Sequence, residues 1–197
     1  MNILQAMNTA LLEAVEKPEV LICSQLGKYG LGGLTSCLYE KRPRQVITYP
    51  VCENFMNGSA MGLSLAGMRP VVIHERMDFL AVGMDPLVNH IPIWPKRQPM
   101  SLPLVILAVV GKGKGQGPQH SKNLTHWFRA FDGWTVAEPA SPEAARDELL
   151  RAIFGDKPVL YVAHRELFGK TGSSVVSRLE SVGLCGASGA HERAFYG

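Results

Sequence analysis

The sequence is poor in charged and aromatic residues and contains few cysteines. Charged residues make up 19% of the 197 residues, and the formal net charge is only +3. Because the basic residues are scattered and form no stripe, nucleic acid is not an expected partner. The four cysteines show no CxxC pair, and the longest apolar run, 102–110, is far too short to cross a bilayer. No signal peptide is recognisable, so these features predict a reduced, cytoplasmic protein without a membrane segment.

Helical patterns alternate along the chain with apolar, strand-like runs. The 46% of hydrophobic residues is enough to build the core of one α/β domain, which we place at residues 1–169. We predict helices at 3–15, 35–40, 54–66, 79–90 and 142–154, and strands at 18–23, 46–49, 69–73, 104–110, 135–138 and 158–163. This alternation predicts a mostly parallel sheet with helices on both faces and functional loops at the carboxyl ends of the strands. Residues 170–197, rich in Gly and Ser, are predicted to be a tail of low order.

The segment 49–67 is the most informative part of the chain. It places one carboxylate, Glu53, between a strand that Pro50 should end and a helix of small residues. Gly58 and Gly62 share a face of that helix, which allows another backbone to approach closely, and we expect that backbone to belong to another subunit. A helix-terminal acid that is simply favoured by the helix dipole is the alternative explanation for Glu53.

The order and spacing of several motifs resemble those of a family of thiamine-diphosphate enzymes. The resemblance is strongest to the β subunits of the decarboxylating component of 2-oxo-acid dehydrogenases, of the pyruvate and branched-chain types. It extends over roughly residues 1–168. The motifs are Gly32-Gly33 followed by Thr35, Glu53-x4-Gly58-x3-Gly62, 66–70 (AGMRP), Met77-Asp78-Phe79, 84–89 (MDPLVN), Gln119-His120-Ser121 and 138–142 (EPASP).

The resemblance implies roles for three side chains. Glu53 would hydrogen-bond the ring nitrogen N1′ of the cofactor's aminopyrimidine and exchange a proton with it. Phe79 would pack on the pyrimidine ring, although a core phenylalanine would give the same sequence pattern. His120 would lie near the substrate and the acyl-acceptor path. Lys112 and Lys114 either belong to a solvated loop, which we favour slightly, or attract an anionic substrate or an acidic partner surface.

The remaining histidines and Cys52 show no pattern typical of catalysis. The histidines lack metal-ligand spacing, so we predict structural or surface positions for them: His74, His90, His126 and His164. Cys52 has no base beside it in the sequence, and we expect it to be a small buried hydrophobic residue.

The second half of a thiamine-diphosphate site has no counterpart in the sequence. In the family, a Gly-Asp-Gly motif and a later Asn hold the Mg²⁺ that bridges the diphosphate. Neither Phe131-Asp132-Gly133 nor Gly155-Asp156-Lys157 matches that motif. The resemblance therefore implies that an α-type partner subunit holds the metal and the diphosphate, in an α2β2 heterotetramer. Family β subunits also carry a C-terminal domain, which we expect to be absent here or to be a separate chain.

Three functions remain open. The first is a β subunit that acts on a 2-oxo acid and passes the acyl unit to an acceptor such as the lipoyl group of an acyltransferase. The second is the same half-site in a stand-alone 2-oxo-acid decarboxylase or carboligase. The third is an inactive α/β scaffold subunit, against which the intact Glu53, Phe79 and His120 argue. The substrate side chain is not predicted, because the partner subunit should shape much of that pocket.

Overall fold

A single six-stranded parallel sheet organises the protein. The computed structural model describes residues 1–27, 33–98, 100–111 and 117–171, apart from the side chain of Ser36. The strands are β1 (Val20–Ser24), β2 (Val46–Thr48), β3 (Arg69–His74), β4 (Leu104–Val110), β5 (Thr135–Ala137) and β6 (Pro158–His164). Their order is β2-β1-β3-β4-β6-β5, and every neighbouring pair is parallel. The predicted parallel α/β sheet is confirmed, and all carboxyl ends of the strands meet at one edge.

Helices cover both faces of the sheet. They are α1 (Ile3–Ala14), α2 (Ser36–Lys41), α3 (Glu53–Leu65), α4 (Trp94–Arg97), α5 (Thr125–Ala130) and α6 (Pro142–Phe154). One apolar core joins α1 and α6 to the sheet, and a second core packs α3, α5 and the segment 77–91 on the opposite face. Adjacent residues of a strand alternate between the two cores, as the period of two requires. Ile22 and Ile73 belong to the first core, for example, whereas Cys23 and Val72 belong to the second.

The best-predicted helices carry clear start signals. The Ser141 side chain accepts a hydrogen bond from the backbone N–H of Ala144, and Pro142 occupies the first helical position, so α6 begins where expected. At α1, Asn2 and Gln5 form a reciprocal capping box, in which each side chain accepts from the other residue's backbone N–H. The start of α6 was predicted from Ser141 and Pro142, whereas α1 was predicted from its apolar face and its capping box is a finding of the structure.

The predicted helix at 79–90 is wrong in detail. The chain instead forms a 3-10 helix at Met77–Gly83 and then a π-helical turn at Pro86–His90. Pro86 cannot donate a backbone hydrogen bond, and Gly83 packs directly against α3, so a continuous α-helix is interrupted twice. The short helices α4 and α5 were not predicted.

Some sequence-based expectations fall on residues that the structure does not describe. They concern Gly32, Lys112, Lys114 and nearly all of the proposed tail, 172–197. Within the described ranges, no helix is both long and apolar enough to cross a membrane.

Candidate functional site

Glu53 lies at the carboxyl edge of the sheet, where the resemblance requires it. Strand β2 ends at Thr48, and α3 begins at Glu53 itself, so this carboxylate sits at the positive end of the helix dipole. The residue is only 6% exposed. The preceding Cys52 is exposed, so the expectation that it is a buried hydrophobic residue is wrong. It is the N-cap of α3, and its side chain makes no capping hydrogen bond.

The first turn of α3 is held by very close packing against Gly83. A Cβ atom at position 83 would lie 2.5 Å from Nδ2 of Asn57 and 3.0 Å from the carbonyl oxygen of Glu53. Nδ2 of Asn57 also donates a hydrogen bond of 3.3 Å to the carbonyl oxygen of Gly83. The 3-10 helix therefore fixes the backbone that carries Glu53. Sequence reasoning missed Gly83, because nothing local marks the contact.

We expect Gly83→Ala to destabilise the protein by about 1–3 kcal/mol, since the new methyl group must displace the backbone of Glu53 or the Asn57 amide. Gly62→Ala is the matched control. A Cβ there meets nothing within 4 Å, and the helical position favours Ala by about 0.5–1 kcal/mol. Urea unfolding of both variants measures the two changes. Equal stabilities for the two variants would contradict the proposed role of Gly83.

The two glycines of α3 differ in their surroundings. A Cβ at Gly58 would lie 3.7 Å from Cγ of Pro86 in the same chain, whereas the space beside Gly62 is open. We had expected both glycines to face another subunit. Gly58 already faces the chain's own π-helical turn, so only Gly62 keeps an open side for an external partner.

A buried hydrogen bond joins α3 to the end of β3. Nε2 of His74 lies 2.8 Å from Oδ1 of Asn57, and both residues are buried. Burial lowers the pKa of His74 from 6.5 to about 3, so the imidazole is neutral at physiological pH. Since Oδ1 of Asn57 can only accept, Nε2 of His74 must be the donor. His74 is thus a structural residue, and through Asn57 it supports the helix that carries Glu53.

Phe79 and His120 are in direct contact. Their rings meet edge to face, with centroids 5.4 Å apart and planes at 88°. A hydrogen bond of 3.0 Å from the backbone N–H of Lys122 to Oδ1 of Asp78 ties the two segments together. The sequence named both aromatic residues but gave no reason to pair them, because 40 positions separate them in the chain.

Three buried polar atoms in the described ranges have no hydrogen-bond partner. They are Nε2 of Gln25, Oε1 of Glu75 and Nδ1 of His120. Gln25 directly follows β1, Glu75 directly follows β3, and His120 lies in the connection after β4, so all three follow neighbouring strands. Buried polar groups are normally paired, so such unpaired atoms at one sheet edge fit a polar ligand. Sequence reasoning missed Gln25 and Glu75.

Three large apolar side chains near Glu53 are exposed. Val51 is 82% exposed, Phe55 55% and Val82 60%. Val51 precedes Glu53 in the chain, Phe55 lies in the first turn of α3, and Val82 neighbours Gly83. We call these three residues the apolar rim. Several exposed apolar side chains in one part of the fold are typical of a contact with another protein.

No group of three or more His, Cys, Asp or Glu side chains in the described part of the chain could hold a metal ion. Where a carboxylate and a histidine lie close together in these ranges, they form an ion pair. His164, for instance, lies 2.6 Å from Glu138, whose other oxygen contacts Arg129 at 2.5 Å. Burial alone would raise the pKa of Glu138. The hydrogen bonds and charges of His164 and Arg129 outweigh burial and lower that pKa.

Comparison with known proteins identifies related chains. The family described as the transketolase pyrimidine-binding domain matches residues 1–170. The β subunit of acetoin:2,6-dichlorophenolindophenol oxidoreductase from Cupriavidus necator is 32% identical over 145 residues, which are 73% of this chain and 43% of the relative. The pyruvate dehydrogenase E1 component subunit beta of Porphyra purpurea is 29% identical over 170 residues, 83% of this chain and 51% of the relative. This chain spans about half the length of these curated relatives.

A solved structure shares the fold. The chain titled "Split gene transketolase, inactive beta4 tetramer" superposes with a TM-score of 0.68 at 21% sequence identity. The match covers 84% of this chain and 52% of that one.

Proposed function

The chain belongs to the family of transketolase pyrimidine-binding domains, and from that premise we propose that it is the pyrimidine-binding β subunit of a heteromeric thiamine-diphosphate-dependent enzyme. The enzyme would decarboxylate a 2-oxo acid and pass on the acyl or aldehyde unit. The observation that carries this proposal is a carboxylate, Glu53, that is almost fully buried at the carboxyl edge of a parallel sheet. A charge in such a place is costly unless a ligand uses it.

The residues at this edge fit the aminopyrimidine of thiamine diphosphate. Glu53 supplies a carboxylate for the ring nitrogen N1′, and Phe79 supplies an aromatic surface beside it. The unpaired Nδ1 of His120 remains available for a polar group of the substrate. When bound, thiamine diphosphate supplies the nucleophilic carbon and the electron sink for decarboxylation.

Glu53 would act by exchanging a proton with N1′. Its burial excludes water, which strengthens the hydrogen bond and makes the proton position sensitive to the bound group. Gly83 and the His74–Asn57 pair would hold the backbone of Glu53 in place for this exchange. His120, positioned on the edge of Phe79, would carry a proton to or from the substrate or the acyl acceptor.

The partner would be an α-type subunit that holds the diphosphate and Mg²⁺, in an α2β2 heterotetramer. The apolar rim of Val51, Phe55 and Val82 is the surface we assign to this partner, because these exposed residues lie next to Glu53 and Gly83 in the chain. A lipoyl acyltransferase is the acceptor we propose for the acyl unit, and the cytoplasm is the proposed location. The split-gene relative whose β4 tetramer is described as inactive supports the idea that a β chain alone does not suffice.

The isolated chain should bind thiamine diphosphate weakly and show no turnover, whereas co-expression with an α-type partner should restore both. The physical reason is that most of the binding energy of this cofactor comes from its diphosphate and metal, which this sequence does not provide for. Isothermal titration calorimetry with and without Mg²⁺ measures the difference. Tight, magnesium-dependent binding by the isolated chain would refute the half-site proposal.

A further inference from the structure

Tyr49 connects the sheet to the first two turns of α3. It is the first residue after β2, and its backbone N–H donates a hydrogen bond of 3.0 Å to the carbonyl oxygen of Ser24 in β1. Its ring meets the ring of Phe55 edge to face, with centroids 5.7 Å apart and planes at 63°. Oγ of Ser59 donates a hydrogen bond of 2.7 Å to its hydroxyl. One residue thus joins the backbone of β1 to two side chains of α3.

The hydroxyl of Tyr49 is also bound to the side chain of Cys23 in β1. Burial raises the pKa of Tyr49 above its usual value, so the hydroxyl keeps its proton and donates a hydrogen bond to the Cys23 sulfur. Cys23 is fully buried, and burial raises its pKa from 9.0 to about 12, so it is a neutral thiol. The hydroxyl therefore accepts from Ser59 and donates to Cys23, which fixes its position from both sides.

The start of α3 depends on such tertiary contacts, because its N-cap makes no side-chain hydrogen bond. Phe55 and Ser59 are four residues apart, so they share the face of α3 that meets Tyr49. Glu53 precedes Phe55 by two residues, about 200° around the helix, and its backbone packs against Gly83. The first two turns of α3 therefore lie between Gly83 and Tyr49, and a displacement of Tyr49 shifts the backbone that carries Glu53.

Phe55 belongs at the same time to the apolar rim that we assign to the partner subunit. Its side chain is 55% exposed, although its ring rests against Tyr49. A partner that covers this side chain restricts its rotamers and holds the ring against Tyr49. Since Tyr49 is bound to β1 through its backbone and its hydroxyl, the first turn of α3 becomes more rigid in the assembly than in the isolated chain.

We propose that Tyr49 is a positioning residue that couples binding of the partner subunit at Phe55 to the orientation of Glu53. This inference rests on the proposed function and adds a residue that regulates the same site. The isolated chain then has two reasons to be inactive. It lacks the groups that hold the diphosphate, and its Glu53 is held firmly only after the partner covers Phe55.

Amide hydrogen exchange in the isolated, cofactor-free chain tests the contact. Tyr49→Leu removes the ring and the hydroxyl, and it should speed exchange at the amides of Met56 and Asn57, one turn after Glu53, by about tenfold. Tyr49→Phe keeps the ring and should speed exchange by only about twofold to threefold. Tyr39→Leu is the matched control, since Tyr39 is another half-buried tyrosine, packs against the first core and should leave these amides unchanged.

A double-mutant cycle in the reconstituted enzyme tests the coupling. With the partner and thiamine diphosphate saturating, Tyr49→Leu and Phe55→Ala should each slow proton loss from the thiazolium carbon by about tenfold. The double variant should be at most about twofold slower than either single variant, because both remove the same connection. Independent structural roles would make the two losses multiply. Tyr49→Phe should restore most of the rate, since it keeps the ring contact with Phe55.

Each outcome decides one part of the proposal. Unchanged amide exchange in both Tyr49 variants would overturn the contact, and losses that multiply in the cycle would overturn the coupling. If Tyr49→Leu does not fold, Tyr49→Phe and Ser59→Ala take its place. They remove the same hydrogen bond and should change amide exchange equally and without adding, so additive effects would count against Tyr49. A wild-type enzyme that does not release the thiazolium proton would refute the proposed function, whereas amide exchange would still decide the role of Tyr49.

Discussion

Replacing Glu53 with glutamine should slow proton loss from the thiazolium carbon of bound thiamine diphosphate by about a hundredfold or more, while fold and subunit assembly stay intact. The glutamine amide can still hydrogen-bond N1′, but it cannot pass a proton. Deuterium exchange at that carbon, followed by proton NMR on the reconstituted enzyme, isolates this step. It tests the role of Glu53 without knowledge of the substrate.

The control for this experiment is Glu143→Gln. Glu143 also lies in the first turn of a 13-residue helix, α6, and so shares the favourable interaction with the helix dipole. If the dipole were the only reason for an acid at position 53, neither substitution would change the exchange rate. Exchange at the wild-type rate in the Glu53 variant would return this residue to the status of a helix-terminal acid.

We expect the free energy of unfolding to depend on pH through the protonation of His74 and Glu75. His74 has a pKa of about 3 in the folded chain against 6.5 ordinarily, so stability is lost as pH falls below 6.5 toward 3. Glu75 has a raised pKa of about 8 against 4.5, so its effect has the opposite sign, and stability is lost as pH rises above 4.5 toward 8. Each group changes the free energy of unfolding by up to about 1.4 kcal/mol per pH unit within its window.

The two effects oppose each other between pH 4.5 and 6.5 and should nearly cancel there. His74 is the same in Glu75→Gln and in the wild type, so the difference in stability between them depends on Glu75 alone. The variant should gain stability relative to the wild type as pH rises above 4.5, by a margin that grows to several kcal/mol near pH 8. Denaturant unfolding from pH 5 to pH 8 measures this margin, and Glu19→Gln serves as the comparison. A margin that does not change with pH would contradict a neutral, buried Glu75.

The sequence predicted those parts of the fold that depend on local signals. The helix α6 follows from Ser141 and Pro142, and the strand β4 follows from a continuous apolar run that is buried at every position. The segment after Phe79 has a helical pattern as well, but Gly83 and Pro86 pack against α3, which is distant in sequence. Pro86 is a local signal against a continuous helix, whereas the contact of Gly83 with α3 depends on tertiary packing and has no local signal.

The site shows the same division. Glu53 could be proposed because the spacing Glu53-x4-Gly58-x3-Gly62 resembles the cofactor-activating segment of thiamine-diphosphate enzymes. Its place between a strand and a helix is explained equally well by the helix dipole. Glu75 could not be found, because its burial and its interaction with Arg165, which is 90 positions away, depend on tertiary packing. The resemblance to known enzymes did not reveal Glu75, because no matched motif includes it.

The order of the strands also bears on how the chain is made at the ribosome. Among the strands that the structure describes, β5 pairs with β6 alone, although β6 is synthesised later, and β6 must insert between β4 and β5. Until residue 164 has left the ribosomal tunnel, β4 therefore presents an open edge with unpaired backbone groups to its surroundings. A nascent or truncated chain that stops before β6 exposes this edge of β4 to aggregation, and pairing with β6 covers it.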